Sequence, residues 1–104
     1  MKYDKLVRDR VPYILIKKKK VFSCREAFEE EYCDYAGDAL LDRVTEYINN
    51  KHSLKTLADI VEIVYALAIE NNNTIDELTS ERLRQLAEQG SYCEGIILEE
   101  VKDD

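Results

Sequence analysis

The stretch LKTLADIVEIVYALA, Leu54 to Ala68, is apolar on nearly every side of a helix: Leu57, Ala58, Ile60, Val61, Ile63, Val64, Ala66 and Leu67 leave it no solvent face. Such a helix must be central to its fold, and in a chain this small it is also expected to line a subunit interface. Yet Asp59 and Glu62 stand in its middle. A carboxylate buried without a partner costs several kcal/mol. Asp59 must therefore meet a cation, a metal, a hydrogen-bond donor or the rim of a cleft, and it is the strongest single-site candidate.

The rest of the chain reads as helices around that one. Leu6, Val7, Val11, Ile14 and Leu15 recur at helical spacing, Asp9 can cap, and Pro12 fits a first turn, so a helix is expected from about Arg10 to Lys19. From Phe28 to Asn49 the stripe is Tyr32, Tyr35, Ala36, Ala39, Leu40, Val44, Tyr47 and Ile48. NNKHS is a turn, and Ser53 is an N-cap for the apolar helix, which should run to about Asn71. Thr74 with Glu77 three residues later forms a capping box for a fourth helix, inward through Ile75, Leu78, Leu83 and Leu86, that ends near Gln89 before Gly90. KVFSCRE (20–26) and GIILEEV (95–101) read as two short strands able to pair, and KDD as a frayed tail. The expectation is one all-α domain over 1–104, an antiparallel helix bundle with a small two-stranded β element.

Composition narrows the function classes. With 22 acidic against 15 basic side chains and a formal net charge of −7, broad binding to nucleic-acid backbone is disfavoured. The one basic run, Lys17–Lys20, reads as a solvated helix end suited to the negative pole of the helix dipole. Cys24, Cys33 and Cys93 have no metal-ligand spacing, and His52 is the only histidine, so reduced thiols are expected. No segment has the length of a membrane span or the pattern of a leader, which points to a cytoplasmic protein without membrane contact.

Carboxylates also mark the second helix. Asp42 and Glu46 lie one turn apart on one face, with Arg43 between them. A short turn makes the two helices antiparallel, so Asp42, Glu46, Asp59 and Glu62 can converge, as oxygen ligands from facing helices do around magnesium. Asp34, Asp38 and Asp42 equally form a row that suits a solvated acidic face. The residues leave both readings open.

YDKLVRDRVPYIL, EEEYCDYAGDALLDRVTEY, LKTLADIVEIVYALA and QGSYCEGIILEEV together resemble the short MazG-like nucleoside triphosphate pyrophosphohydrolases, an all-α family related to phosphoribosyl-ATP pyrophosphohydrolase. The likeness spans nearly the whole chain. It implies an oligomeric helix bundle, a homodimer or homotetramer, that cleaves nucleotides between the α and β phosphates with magnesium held by E-x-x-E and E-x-x-D pairs. Those pairs fall here on Arg43 with Glu46 and on Thr56 with Asp59, so two ligands have become a guanidinium and a hydroxyl. Ala39 replaces a family lysine, and Gln89, Glu94 and Gly95 replace the arginine and lysines of the ending. Lys5, Arg8 and Asp9 are kept, and Tyr92 keeps the aromatic.

Arg43 is expected to pair with Glu46, or with Asp59 across the helices, neutralising charge that a metal would have neutralised. A guanidinium can grip a phosphate but cannot present a metal-bound hydroxide. The first reading is therefore a degenerate member that sequesters or senses a nucleotide or nucleotide-derived ligand with little or no hydrolysis and no cofactor, as a viral protein removing a host signal would. Its ligand-binding residues are Lys5, Arg8, Arg43, Glu46, Tyr47, Asp59 and Tyr92. The alternatives are a divergent magnesium-dependent pyrophosphohydrolase using Asp42, Glu46, Asp59 and Glu62, and a dimeric helical protein-interaction module.

Overall fold

A computed structural model describes residues 4–50 and 52–102; Tyr3 of the opening motif, Lys51 of the turn and the last two residues of the tail lie outside the described residues. Among the described residues four helices follow one another: α1 Val11–Lys17, α2 Glu29–Asn49, α3 Leu54–Glu70 and α4 Ile75–Gln89. Among the described residues no helix is long and apolar enough to cross a membrane.

Local chemistry sets the helix ends. Pro12 sits in the first turn of α1, but Arg10 rather than Asp9 is the N-cap, and no side chain caps it. The helix stops two residues early because Lys19 turns into the left-handed region at φ 56°. The carbonyl of Ser53 opens α3, and its Oγ accepts the Thr56 N–H at 3.4 Å. Thr74 and Glu77 close their capping box reciprocally, at 3.0 and 2.9 Å. Gly90, at φ 84°, ends α4.

At the start of α2, Glu31 takes two hydrogen bonds from Arg25, at 2.8 and 3.0 Å, and one from the Phe28 backbone N–H at 2.9 Å. These hold its carboxyl down at about 2, Arg25 contributing most. A depressed folded-state value means support present above the ordinary value near 4.5 and lost as pH falls toward 2. A carboxyl carbon titration followed by NMR should give a midpoint near 2 for Glu31. In Arg25→Gln it should move up toward the ordinary range.

Among the described residues of the single chain, no strand is present at the two expected segments. Residues 20–26 and 95–101 run as irregular chain, and Val21, Ile96, Ile97 and Leu98 are almost fully exposed. A strand is held by the ladder it shares with a neighbour, and neither segment lies beside one. Alternation in a short segment specifies a face only when something covers it.

Helices α2 and α3 pack as an antiparallel hairpin, α4 touches α3 only slightly and leaves its residues 80–89 exposed, and α1 packs on no other helix. The core is correspondingly thin: among the described residues only Ala36 and Thr56 are buried, both in the α2–α3 seam. The radius of gyration is 18.2 Å, where a compact chain of this length has about 13 Å. The accessible surface is 9857 Å², against about 6,000 Å² for a compact monomer of this mass.

Candidate functional site

One side of the α2–α3 hairpin is roofed by the chain from Asp4 to Val11, enclosing a half-open cleft of about 930 Å³. From α2 come Tyr32, Tyr35, Asp38, Ala39, Asp42 and Arg43; from α3 come Asp59, Glu62, Ile63 and Ala66. Helical spacing explains the sets. Tyr32, Tyr35, Ala39 and Asp42 are three or four apart, as are Asp59, Glu62 and Ala66, so each forms one line along its helix.

Asp59 meets a cation, one of the partners its place in an apolar helix calls for, but not Arg43. Arg8 reaches across from the N-terminal segment and donates from Nη2 to the Asp59 carboxylate at 2.5 Å. Asp59 is 19% exposed and Arg8 58%, so the pair contributes under about 1 kcal/mol to stability. Arg43 bonds neither Glu46 nor Asp59: it donates to its neighbour Asp42 at 2.9 Å. That hydrogen bond holds the Asp42 carboxyl below its usual range, with further help from the Lys5 charge, and raises the Arg43 guanidinium. Glu46 and Asp59 act on Arg43 only through the longer-range field. The physical reason is reach: Arg8, on a segment free of helical geometry, can approach Asp59 directly.

Of the residues chosen from sequence, Lys5, Arg8, Asp42, Arg43, Asp59 and Glu62 line the cleft together. Glu46, Tyr47 and Tyr92 do not. Glu46 is half-buried beside the seam, Tyr47 stacks edge-on against His52 at 4.9 Å, and Tyr92 is 99% exposed on the C-terminal segment. Thr56 is in the seam rather than the cleft. Tyr32 and Tyr35 read in the sequence as part of a packing stripe and Asp38 as part of a solvated row, yet all three line the cleft. Tyr35 lies seven residues and Asp38 four from Asp42, about two turns and one turn of the helix, and those spacings are the signals that place them on its face. Burial raises the Tyr32 hydroxyl above its ordinary value, with Glu70 and Asp9 adding to the effect.

Among the described residues no three His, Cys, Asp or Glu side chains come together in a way that could hold a metal ion, and Asp42 and Asp59 each carry a guanidinium. Magnesium needs near-octahedral oxygen ligation, usually one or two carboxylates open to it plus phosphates and water. What the cleft offers instead is two arginines that keep further N–H donors after their ion pairs, two tyrosine rings, and carboxylate acceptors. Six carboxylates (Asp4, Asp9, Asp38, Asp42, Asp59, Glu62) line it against four cations (Lys5, Arg8, Arg10, Arg43). The three cysteines are free and exposed, away from it. Comparison of the chain with family models, with curated proteins and with solved structures finds no match.

Proposed function

We propose that the cleft holds a nucleotide or nucleotide-derived ligand without hydrolysing it. The observation carrying this reading is the placing of Arg8 on Asp59 and Arg43 on Asp42, at the carboxylates a metal would need. A guanidinium paired on one edge still presents N–H groups to a phosphate. Tyr32 and Tyr35 supply ring faces for a base, and Asp38 and Glu62 supply acceptors for ribose hydroxyls or an exocyclic amine. The resemblance to the MazG-like pyrophosphohydrolases supports the same ligand class.

The acid excess sets a preference within it. A triphosphate would bring three or more further negative charges into a lining already acidic on balance. Ligands with few phosphate charges and many hydroxyls, such as nucleoside monophosphates or sugar-bridged diphosphates, are favoured. The protein acts as a homodimer or homotetramer, supported by the large exposed surface and thin core, and the segments 20–26 and 95–101 pair as a β element only in that assembled state.

Isothermal titration against mono-, di- and triphosphates, dinucleotides and ADP-ribose derivatives, with magnesium and with EDTA, tests the reading. Micromolar binding that survives EDTA, strongest for the low-charge, hydroxyl-rich members, is the expected result. No binding across the panel would overturn it in favour of a protein-interaction module. Magnesium-dependent release of pyrophosphate would overturn it in favour of a working hydrolase.

A further inference from the structure

The cleft is not electrically uniform along its length. Its guanidiniums gather at one end: Arg8 crosses to Asp59, Arg43 holds Asp42 within the field of Asp59, and the Lys5 charge reaches Asp42 there too. The tyrosine rings stand at the other end. Arg43 is eight residues from Tyr35 and eleven from Tyr32 on α2, about 12 and 17 Å along the helix axis. Asp38 follows Tyr35 by three residues on the same line of α2. Glu62 follows Asp59 by three and lies toward the tyrosine end, since α3 runs antiparallel to α2.

The charge left over beyond the guanidiniums is negative. Asp38 and Glu62 line the cleft without an ion pair to any described residue. Asp9 in the roof and Glu70 at the close of α3 add their fields at Tyr32, whose hydroxyl burial already raises. Arg25 lies within the field of Tyr35, but Glu31 takes two of its N–H groups and it lines no part of the cleft. Arg10, next to Asp9, offsets one negative charge and leaves Asp38 and Glu62 over.

A purely anionic ligand is drawn to the first end and repelled along the rest. A ligand with phosphate at one end and a positive charge at the other is attracted throughout. Aromatic faces beside carboxylates that no cation has claimed are what recognise a delocalised organic cation: the ring quadrupole and the carboxylates act with the same sign. The carboxylates are spread along the walls, and among the described residues no three come close enough to hold a metal ion. Positive charge distributed over an organic ring suits that spread better than a point cation does.

We propose that the cleft selects a zwitterionic nucleotide, its phosphate on Arg8 and Arg43 and a positively charged heteroaromatic ring over Tyr32 and Tyr35, with Asp38 and Glu62 as counter-ions. The inference rests on the nucleotide-holding reading above and sharpens it from ligands of low charge to ligands that carry both signs.

NAD+ and NADH test it as a matched pair, by titration calorimetry in EDTA. They share both phosphates and every hydroxyl, and only NAD+ carries the positive pyridinium ring. Titration with 7-methylguanosine monophosphate against guanosine monophosphate, in slightly acid buffer where the methylated ring keeps its charge, repeats the comparison on a purine. The cationic member of each pair should bind about fivefold or more tighter. Asp38→Asn and Tyr35→Leu should each narrow that preference while leaving the uncharged-ring partner bound as before. Asp38 is exposed and leucine keeps an apolar side chain at the half-buried position 35, so both variants should fold. Equal or weaker binding of the cationic members, or a preference that Asp38→Asn leaves untouched, would overturn the inference and leave the nucleotide-holding reading in place. Binding by none of the four ligands would remove both.

Discussion

Arg8→Ala and Asp59→Asn are expected to change ligand affinity in opposite directions, although they remove the two ends of one ion pair. Arg8 supplies charge-assisted hydrogen bonds to a phosphate, worth about 1.5–3 kcal/mol, so its loss should weaken binding by roughly 10–150-fold at 25 °C. Asp59→Asn removes a negative charge from a lining where carboxylates outnumber cations. It also leaves the Arg8 guanidinium without its carboxylate. At a separation of several ångströms and an effective dielectric between those of water and a protein surface, one charge is worth about 1 kcal/mol. Binding of an anionic ligand should therefore strengthen by a few-fold. A metal-dependent hydrolase predicts otherwise, since there Asp59 would be a ligand and its amide would abolish turnover. Titration calorimetry on both variants in EDTA decides the matter: weakening by both would remove the holding role assigned to Arg8 and Asp59. Stability should barely move in either case, because the pair is more than half exposed at the Arg8 end.

Most of the helical architecture was legible because its signals are local. The apolar periodicity of α2 and α3, the Ser53 N-cap, the Thr74–Glu77 capping box and the glycine stop at Gly90 depend on residues within a turn of one another. The short strands were not, because alternation over seven residues carries no information about a partner. The site divides along the same line. That Asp59 needed a partner or a cleft rim followed from the apolar run around it; that Arg8 would be that partner did not. Arg43 was near in the helical pairing, but Arg8 lies 51 residues from Asp59 along the chain, and only the path of the N-terminal segment brings it there. Tyr32 and Tyr35 look like packing residues in sequence because an aromatic at helical spacing reads the same whether it faces a neighbour or a cleft.

Restoring acid at position 43 should make the protein respond to magnesium. Arg43 already stands in the field of Asp42, Glu46 and Asp59, so Arg43→Glu replaces a cation there with a fourth carboxylate. Without a metal, like charges at short range destabilise the hairpin. With one, the added oxygens offer the ligation the parent lacks. Magnesium at about a hundred times its dissociation constant would then stabilise the variant by about 2.7 kcal/mol through mass action, a rise in Tm on the order of 10–20 °C for a domain of this size. The parent should show no comparable rise. Thr56→Glu is the opposing control. Thr56 is 6% exposed within the α2–α3 seam, where a carboxylate would lose its water without gaining a partner, at a cost of several kcal/mol. Thermal unfolding should show Thr56→Glu destabilised and indifferent to magnesium, with Arg43→Glu destabilised and rescued by it. Rescue of Thr56→Glu would mean that the seam opens onto the cleft and that a hydroxyl now fills a working metal position, which would restore hydrolysis as the better reading of the site.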